Sequence, residues 1–203
     1  PPKKQTLFFS ATMPDSIDRL AKSLLHNPAR VEVTPASSVV EIISQSVYRV
    51  EKPQKKELFA QLLLGEAGHQ VLVFSRTKHG ADNIARYLSR RGIACESIHG
   101  DKSQNARQRA LSNFKEGRSN VIIATDIAAR GIDIKGLDLV LNFDLPDVPE
   151  TYVHRIGRTG RAGCEGRAIA FCSSEEAPML REIEKLTGIK LVQQKHNLPS
   201  LGE

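Results

Sequence analysis

Three arginines stand three residues apart in the second half of the chain. They are Arg155, Arg158 and Arg161. A guanidinium group is always charged, so three of them packed together without nearby carboxylates indicate that an anion completes the site. A chain of phosphates is the anion that fits best. The plainer alternative is that these arginines lie on the surface at a helix end, where they pair with the last carbonyl groups.

Two glycines interrupt this arginine series. Gly157 and Gly160 let the backbone leave helical geometry, so Arg158 and Arg161 are predicted to stand in a loop instead of along a helix. This spacing with glycines favours the phosphate site over an ordinary helix end. His154 and the first arginine are delivered by the helix that precedes the loop.

Polar residues follow three predicted strands at the point where each strand ends. They are Ser75-Arg76-Thr77, His99-Gly100-Asp101 and Thr125-Asp126. Ligands of open α/β sheets collect beyond the carboxyl ends of the strands, so these loops are expected to line one rim. Ordinary turns and helix caps also favour Ser, Thr, Asp and Gly, and that reading suits any single loop equally well. Together they favour a rim that binds phosphate and sugar oxygens.

A predicted helix begins just beyond the second of these loops. Gln104 and Arg107 lie three residues apart on it, so they share one helix face and point near the rim. After Thr125-Asp126, residues 128–133 predict a short helical turn that ends at Gly131. This turn brings Arg130 and Asp133 close to the same edge of the sheet.

Several catalytic patterns are missing from the sequence. It has no G-x-x-x-x-G-K-[ST] phosphate loop and no Asp-Glu pair at a strand end to hold a metal. It has no H-E-x-x-H or cysteine-histidine cluster, and no nucleophile stands at an interpretable spacing from a base. We therefore predict no metal site and no unaided hydrolysis of a nucleotide. An arginine cluster without a phosphate loop suggests arginine fingers that reach a nucleotide held by another domain.

The composition is that of a globular protein with a moderate basic excess. The 203 residues include 29 Lys and Arg against 23 Asp and Glu, and the formal charge of +6 suits a polyanionic partner. No apolar run is long enough to span a bilayer, and no signal peptide opens the chain. Three cysteines without a C-x-x-C pair argue against a disulfide framework and favour a cytoplasmic location.

From residue 45 onward, apolar strand-like runs alternate with amphipathic helices. The strands are predicted at 46–50, 71–75, 94–98, 121–125, 139–143 and 168–172, and the helices at 55–64, 79–91, 104–115, 148–156 and 175–186. Ser103 is expected to cap the third helix, and Asp147 with Glu150 forms a cap-like pair at the start of the fourth. The alternation predicts a mainly parallel sheet with helices on both faces, a three-layer α/β/α fold.

The first 35 residues differ from this pattern. Leu7-Phe8-Phe9 predicts a short buried strand, and Thr12 is expected to cap the helix that follows. One strand and one helix cannot bury the apolar stripe of that helix by themselves. We therefore predict residues 1–35 as the end of a preceding domain, 36–44 as a linker, 45–192 as a second domain and 193–203 as a tail.

Five segments resemble the motifs of DEAD-box RNA helicases and occur in the same order. They are Ser10-Ala11-Thr12 (motif III), Val73-Phe74-Ser75-Arg76-Thr77 (motif IV), Gln104-x-x-Arg107 (the Q-x-x-R element), residues 124–133 (motif V) and residues 154–161 (motif VI). The resemblance covers nearly the whole chain, and motifs V and VI together are highly specific. The sequences of residues 77–81 and 153–155 resemble those of the bacterial RhlE-like subgroup.

The resemblance implies a helicase core of two RecA-like domains, of which this chain contains the end of the first and the complete second. Arg158 and Arg161 would then be arginine fingers on the γ-phosphate of ATP, which the first domain would bind together with Mg²⁺. Gly131 and Asp133 would contribute to the ATP site, with Asp133 at the ribose. His154 would couple this site to the motifs of the first domain.

The resemblance also implies roles in RNA binding and in the coupling of the two domains. The RNA track would be lined by Arg76, Thr77, Gly100, Asp101, Gln104, Arg107 and Thr125. Ser10, Thr12, His154 and Arg155 would couple the domains, with Ser10 and Thr12 linking hydrolysis to unwinding. Such helicases grip the sugar-phosphate backbone of one strand without reading its sequence, and they close only when ATP and RNA are both bound.

Other functions stay open from the sequence. The basic rim suits a catalytically silent module that binds RNA or a protein, and the motif VI pattern also occurs in helicases that act on DNA. The Q motif, the phosphate loop and the Asp-Glu-Ala-Asp box of the family are missing from these 203 residues, so the chain alone is expected to be inactive. The apolar helix in residues 14–26 is expected to dock on the second domain or on another molecule, which includes self-association, or to stay mobile.

Overall fold

The computed structural model describes residues 4–10, 13–32, 42–129, 132, 137–160 and 166–199. The chain divides into two compact units, Pro1–Ser38 and Val39–Glu203. Some residues of the predicted sites lie outside the described residues: Thr12, Arg130, Gly131, Asp133 and Arg161.

Within the described residues, the larger unit is built on a sheet of seven parallel strands. The strands are β1 (Ile43–Arg49), β2 (Val71–Phe74), β3 (Cys95–Ile98), β4 (Val121–Ala124), β5 (Leu139–Asn142), β6 (Gly166–Cys172) and β7 (Val192–Gln194). Their order across the sheet is β3-β4-β2-β5-β6-β1-β7. Parallel neighbours need crossover connections, and helices supply them between most of the strands.

Helices cover both faces of this sheet. The helices of the described chain are α1 (Asp15–Leu24), α2 (Lys55–Gly65), α3 (Lys78–Ser89), α4 (Gln104–Lys115), α5 (Asp126–Ala129), α6 (Pro149–Ile156) and α7 (Ala177–Thr187). Short 3₁₀ turns at Lys52–Gln54 and Ser174–Glu176 lead into α2 and α7. The predicted three-layer α/β fold is confirmed, and Ser103 caps α4 as expected by accepting a hydrogen bond from the Ala106 N–H.

Strand β2 shows how the sheet separates two cores. All four of its residues are buried, because it lies in the middle of the sheet with helices on each side. Val71 and Val73 pack in one cluster with residues of α2 and α3, whereas Leu72 and Phe74 pack in another with residues of α4 and α5. A third cluster packs α6 and α7 on β1 and β6. The continuous apolar run of β2 therefore serves both faces.

Strand β7 was not predicted from the sequence. It has three residues, all exposed, and it pairs in parallel with β1 at Ser46, Val47 and Tyr48. Its sequence, Val192-Gln193-Gln194, carries no run of apolar residues and no full alternation. Only its backbone hydrogen bonds to the edge of the completed sheet make it a strand.

The Pro1–Ser38 unit differs from one prediction. Residues 4–10 form no strand, and Leu7 and Phe9 are 69% and 87% exposed, so the predicted buried strand is wrong. A strand needs a neighbour for its backbone hydrogen bonds, and none is present among residues 4–10 and 13–32. Helix α1 begins at Asp15, and its N-cap is Pro14, which makes no side-chain capping bond. Thr12, which was expected to cap this helix, lies outside the described residues.

Candidate functional site

The carboxyl edge of the sheet gathers the three polar loops predicted from the sequence. Strands β3, β4 and β2 are neighbours, and the last residues of β3 and β2 both pair with Ala124 at the end of β4. His99, Ser75 and Thr125 therefore follow at the same level of the sheet. The Thr125 N–H donates to the Ile98 carbonyl (3.3 Å), and the Ser75 N–H donates to the Ala124 carbonyl (3.0 Å). The structure thus places these loops side by side.

Exposed polar groups cover this edge. Thr77, Gly100, Asp101 and Gln104 are all exposed. The Thr77 hydroxyl accepts a hydrogen bond from the Gly80 N–H (2.9 Å) and so caps α3. Arg107 is half-buried on α4, and its Nη2 donates to the Ala128 carbonyl of α5 at 3.5 Å. Two helix N-termini, those of α3 and α4, therefore open at the same edge and point backbone N–H groups outward.

A charged cluster around Asp82 supports the end of β3. Burial raises the pKa of Asp82, but hydrogen bonds from Ser97 Oγ (2.7 Å) and Lys102 Nζ (2.9 Å) outweigh it and hold that pKa well below its usual range. The buried His99 ring places Nε2 3.1 Å from Asp82 Oδ2, although neither ring nitrogen has hydrogen-bond geometry to a partner. Asp82 is therefore ionised, and its contacts with Ser97 and Lys102 stabilise the loop that contains Gly100.

Arg76 is held by the loops that follow β5 and β6. Its main-chain N–H donates to Asp144 Oδ2 (3.0 Å), and its Nη2 donates to the Leu145 carbonyl (3.0 Å). The guanidinium also lies 3.3 Å from Asp147 Oδ1 and 3.5 Å from Glu176 Oε1. Asp147 therefore pairs with Arg76 and does not cap α6, whose N-cap makes no side-chain bond. The sequence prediction of a cap at Asp147 is wrong.

Arg155 is buried, with its side chain 2% exposed. Its Nε and Nη2 donate to the two carboxylate oxygens of Asp126 at 2.7 and 2.8 Å. Its Nη1 donates to Asn142 Oδ1 (2.9 Å) and to the Asp144 carbonyl (2.7 Å), and the guanidinium lies 4.9 Å from the centre of the Phe74 ring. The expectation that the three arginines lack nearby carboxylates is wrong for Arg155. Its partner lies 29 residues earlier, where no local spacing pattern could show it.

Arg158, the second arginine of the cluster, lies just beyond α6. Helix α6 ends at Ile156, so Arg158 stands in a loop as predicted, half-buried, while His154 on the last turn is exposed. Thr159 is buried, and its hydroxyl donates to the Leu137 carbonyl at 2.6 Å. Because Leu137 precedes β5, this contact lies on the amino side of that strand, away from the carboxyl-edge loops.

A close approach of two backbone segments holds the arginine loop against the sheet. Gly160 adopts the left-handed conformation, with φ +65°, which a side chain would strain. A Cβ atom at Gly166, the first residue of β6, would lie 2.5 Å from the Gly160 nitrogen and 2.9 Å from Thr159 Oγ1. The loop that presents Arg158 therefore depends on the absence of a side chain at residue 166.

Ser10 is exposed and belongs to the Pro1–Ser38 unit. In the described ranges, no group of three or more His, Cys, Asp and Glu side chains is arranged to hold a metal ion. None of the helices in these ranges has the length and apolar character needed to cross a membrane.

Comparison with known proteins identifies the family of this chain. Residues 54–163 match the family model of the helicase conserved C-terminal domain, and the chain belongs to this family. Its RecA-like fold is shared with solved structures. The C-terminal domain of the DEAD-box protein Dbp5 is 35% identical, with a TM-score of 0.69, and the match covers 76% of this chain and 91% of that one.

Two longer relatives extend this comparison. S. cerevisiae Dbp5 bound to RNA and ADP BeF3 is 34% identical, with a TM-score of 0.83, over 92% of this chain and 50% of that one. The DEAD-box ATP-dependent RNA helicase CshA of Geobacillus kaustophilus is 45% identical over all of this chain and 43% of its own length. The chain thus spans about two fifths of such curated relatives. Because they carry the name CshA, they do not support the expected RhlE-like subgroup.

Proposed function

We propose that this chain acts as the second RecA-like domain of an ATP-dependent RNA helicase and closes over ATP held mainly by a first RecA-like domain. The observation that carries the proposal is the separation of two polar surfaces on one sheet. The loops at the carboxyl ends of β2, β3 and β4 form one surface. The arginine loop, tied to Leu137 on the amino side of β5, belongs to the other. One surface can then hold RNA while the other faces a nucleotide.

The proposed RNA track follows the carboxyl edge of the sheet. It comprises Arg76, Thr77, Gly100, Asp101, Gln104, Arg107 and Thr125. The N-termini of α3 and α4 at this edge offer backbone N–H groups and the positive ends of two helix dipoles, which suit phosphate oxygens and carry no base specificity. Because the Arg76 guanidinium already contacts Asp147 and Glu176, its contribution is to hold the loop in place as well as to add positive charge.

The proposed ATP site uses the other surface. Arg158 and Arg161 would be the arginine fingers, and Gly131 and Asp133 would contribute to the ATP site. His154, Ser10 and Thr12 would couple the two domains, whereas Arg155, expected from the sequence to do the same, is buried against Asp126. The exposure of His154 and the half-exposed position of Arg158 leave these side chains able to meet another domain. ATP with Mg²⁺, when bound, supplies the phosphoryl group, and a positioned guanidinium stabilises the charge that develops on it. Arg155 acts within this domain, through Asp126.

The test of this function is hydrolysis in the longer protein that carries a phosphate-loop domain. We expect ATP hydrolysis that is stimulated by single-stranded RNA, and none from the 203-residue chain by itself. RNA binding without stimulated hydrolysis would instead identify a silent binding module. Stimulation by single-stranded DNA of the same length and not by RNA would identify a DNA helicase. The domain limits and the cytoplasmic location stay predictions.

We further propose that the smaller unit presents an apolar face that a partner surface covers. Leu7, Phe9, Leu20, Leu24 and Val31 are between 46% and 87% exposed. The proposed partner is the remainder of the first RecA-like domain, and self-association through residues 14–26 is the alternative. Light scattering of this chain at increasing concentration, compared with a shortened chain that begins at Ser44, distinguishes them, because only self-association makes the apparent molar mass of the longer chain rise with concentration.

A further inference from the structure

Lys55, the first residue of α2, is a fully buried lysine with its side chain 1% exposed. An ammonium group in the interior needs partners to offset the loss of hydration. Its Nζ donates to the Phe143 carbonyl (2.8 Å) and to Glu176 Oε2 (2.6 Å), and it lies 3.5 Å from Asp144 Oδ1. Phe143 and Asp144 directly follow β5, and Glu176 ends the short 3₁₀ turn that follows β6.

Glu176 is the second buried member of this network, 6% exposed. Its Oε2 accepts from Lys55 and from the main-chain N–H and hydroxyl of Ser173, both at 3.0 Å. Its Oε1 accepts from the Leu145 N–H at 3.0 Å. The carboxylate therefore ties the segment after β6 to the segment after β5, and the ammonium of Lys55 compensates its charge.

The network reaches the surface through Arg76. The two oxygens of Asp144 face opposite ways, Oδ1 toward Lys55 and Oδ2 toward the Arg76 N–H. The Arg76 guanidinium donates to the Leu145 carbonyl, and its Nη2 lies 3.5 Å from Glu176 Oε1. The loop of residues 75–77 is thus hydrogen-bonded to residues 143–145. Residues 143–145 are in turn hydrogen-bonded to the buried side chains of Lys55 and Glu176.

We propose that Lys55 and Glu176 are positioning residues for RNA binding, which set the place of loop 75–77 at the carboxyl edge of the sheet. The inference rests on the proposed function, because it requires that this edge binds RNA. Neither side chain reaches the surface, so neither touches RNA itself. Their effect passes through residues 143–145 to the main chain and guanidinium of Arg76.

The test compares variants of the longer protein that keep or lose this support. Lys55→Met removes the ammonium, and the double variant Lys55→Met with Glu176→Met removes both charges. Replacing a buried ion pair with apolar side chains of similar size is often neutral for stability, so the urea midpoint of the double variant should return toward that of the unsubstituted protein. Its KM for RNA in the hydrolysis assay should still rise about tenfold, with a much smaller change in kcat.

Lys56→Met is the matched control, because Lys56 is the next residue on α2 and its Nζ lies over the Tyr87 ring at 5.3 Å, outside the network. Its KM for RNA should stay that of the unsubstituted protein. If the folded double variant also keeps the original KM, Lys55 and Glu176 serve stability alone and the inference is overturned. If the unsubstituted protein shows no hydrolysis stimulated by RNA, the proposed helicase function is wrong. That outcome is distinct from an unchanged KM in the double variant, which overturns only the positioning role of Lys55 and Glu176.

Discussion

Arg155 on α6 and Asp126 on α5 form a paired contact in which both carboxylate oxygens accept from the guanidinium, at 2.7 and 2.8 Å. The Arg155 side chain is 2% exposed and that of Asp126 is 34% exposed. The pair joins the segment after β4 to the helix that delivers the arginine loop. It therefore links the two polar surfaces of the domain through one side-chain contact.

We expect Asp126→Asn to destabilise the chain, because it leaves the buried guanidinium of Arg155 without its negative partner. The expected loss is about 3 kcal/mol in the free energy of unfolding, measured by urea denaturation. Asp101→Asn is the control, since its partner Lys78 lies at 2.7 Å on the exposed surface; surface pairs contribute less than about 1 kcal/mol. Equal losses of unfolding free energy in the two variants would contradict the expectation that the buried Arg155–Asp126 pair stabilises the chain more than a surface pair does.

Gly166→Ala should displace the arginine loop. The new Cβ would lie 2.5 Å from the Gly160 nitrogen, a main-chain atom that cannot move aside cheaply. We expect a loss of about 1–3 kcal/mol in the free energy of unfolding and a change in the backbone amide signal of Arg158 in NMR spectra. Gly65→Ala, on α2 with nothing within 4 Å of its Cβ position, should leave both unchanged or raise stability slightly. An unshifted Arg158 signal in Gly166→Ala would contradict the expected displacement.

Glu176 should make stability depend on acid pH. Burial raises its pKa, but the charge and hydrogen bond of Lys55 and the main-chain donors outweigh it and hold the pKa below the ordinary value of 4.5. A carboxyl group with a lowered folded pKa contributes stability above its unfolded pKa, and that contribution is lost as the pH falls through the folded value. The urea midpoint should therefore fall as the pH is lowered from about pH 5.

Glu176→Gln tests this assignment. The variant should be less stable near neutral pH by about 3 kcal/mol, because Lys55 is left buried without an anion. Its urea midpoint should then change less than that of the unsubstituted chain as the pH falls below 4.5, the ordinary value for this group. Glu175→Gln, at the neighbouring and 71% exposed side chain that pairs with Lys52, should keep the original pH profile. A steep profile retained in Glu176→Gln would assign the acid sensitivity to another group.

Arg158→Ala should lower ATP hydrolysis in the longer protein by roughly three to five orders of magnitude if the side chain acts as an arginine finger. RNA binding, followed by fluorescence anisotropy of a labelled single strand, should change little, because the arginine loop lies away from the carboxyl-edge loops. Normal hydrolysis with lost RNA binding would move Arg158 to the RNA track. The same substitution at Arg161 is expected to have the same effect.

Parts of this fold follow from local sequence because one strong physical signal acts alone. The run Val121-Ile122-Ile123-Ala124 is a strand buried on both faces, and the Ser103 cap of α4 is made within a few residues. Leu7-Phe8-Phe9 shows the limit of such signals. An apolar run becomes a strand only where another strand pairs with it, and residues 4–10 form none.

The sequence by itself determined strands β1 to β6 with the longer helices between them, the parallel sheet and the loops that contain polar groups, because periodicity, caps and glycines act over a few residues. Only the tertiary structure decided which charges are available for ligands. Arg155 is paired with Asp126 from 29 residues away, and Lys55 with Glu176 from 121 residues away. Both pairs form because crossover connections bring the carboxyl ends of distant strands together, a proximity that residue spacing does not encode.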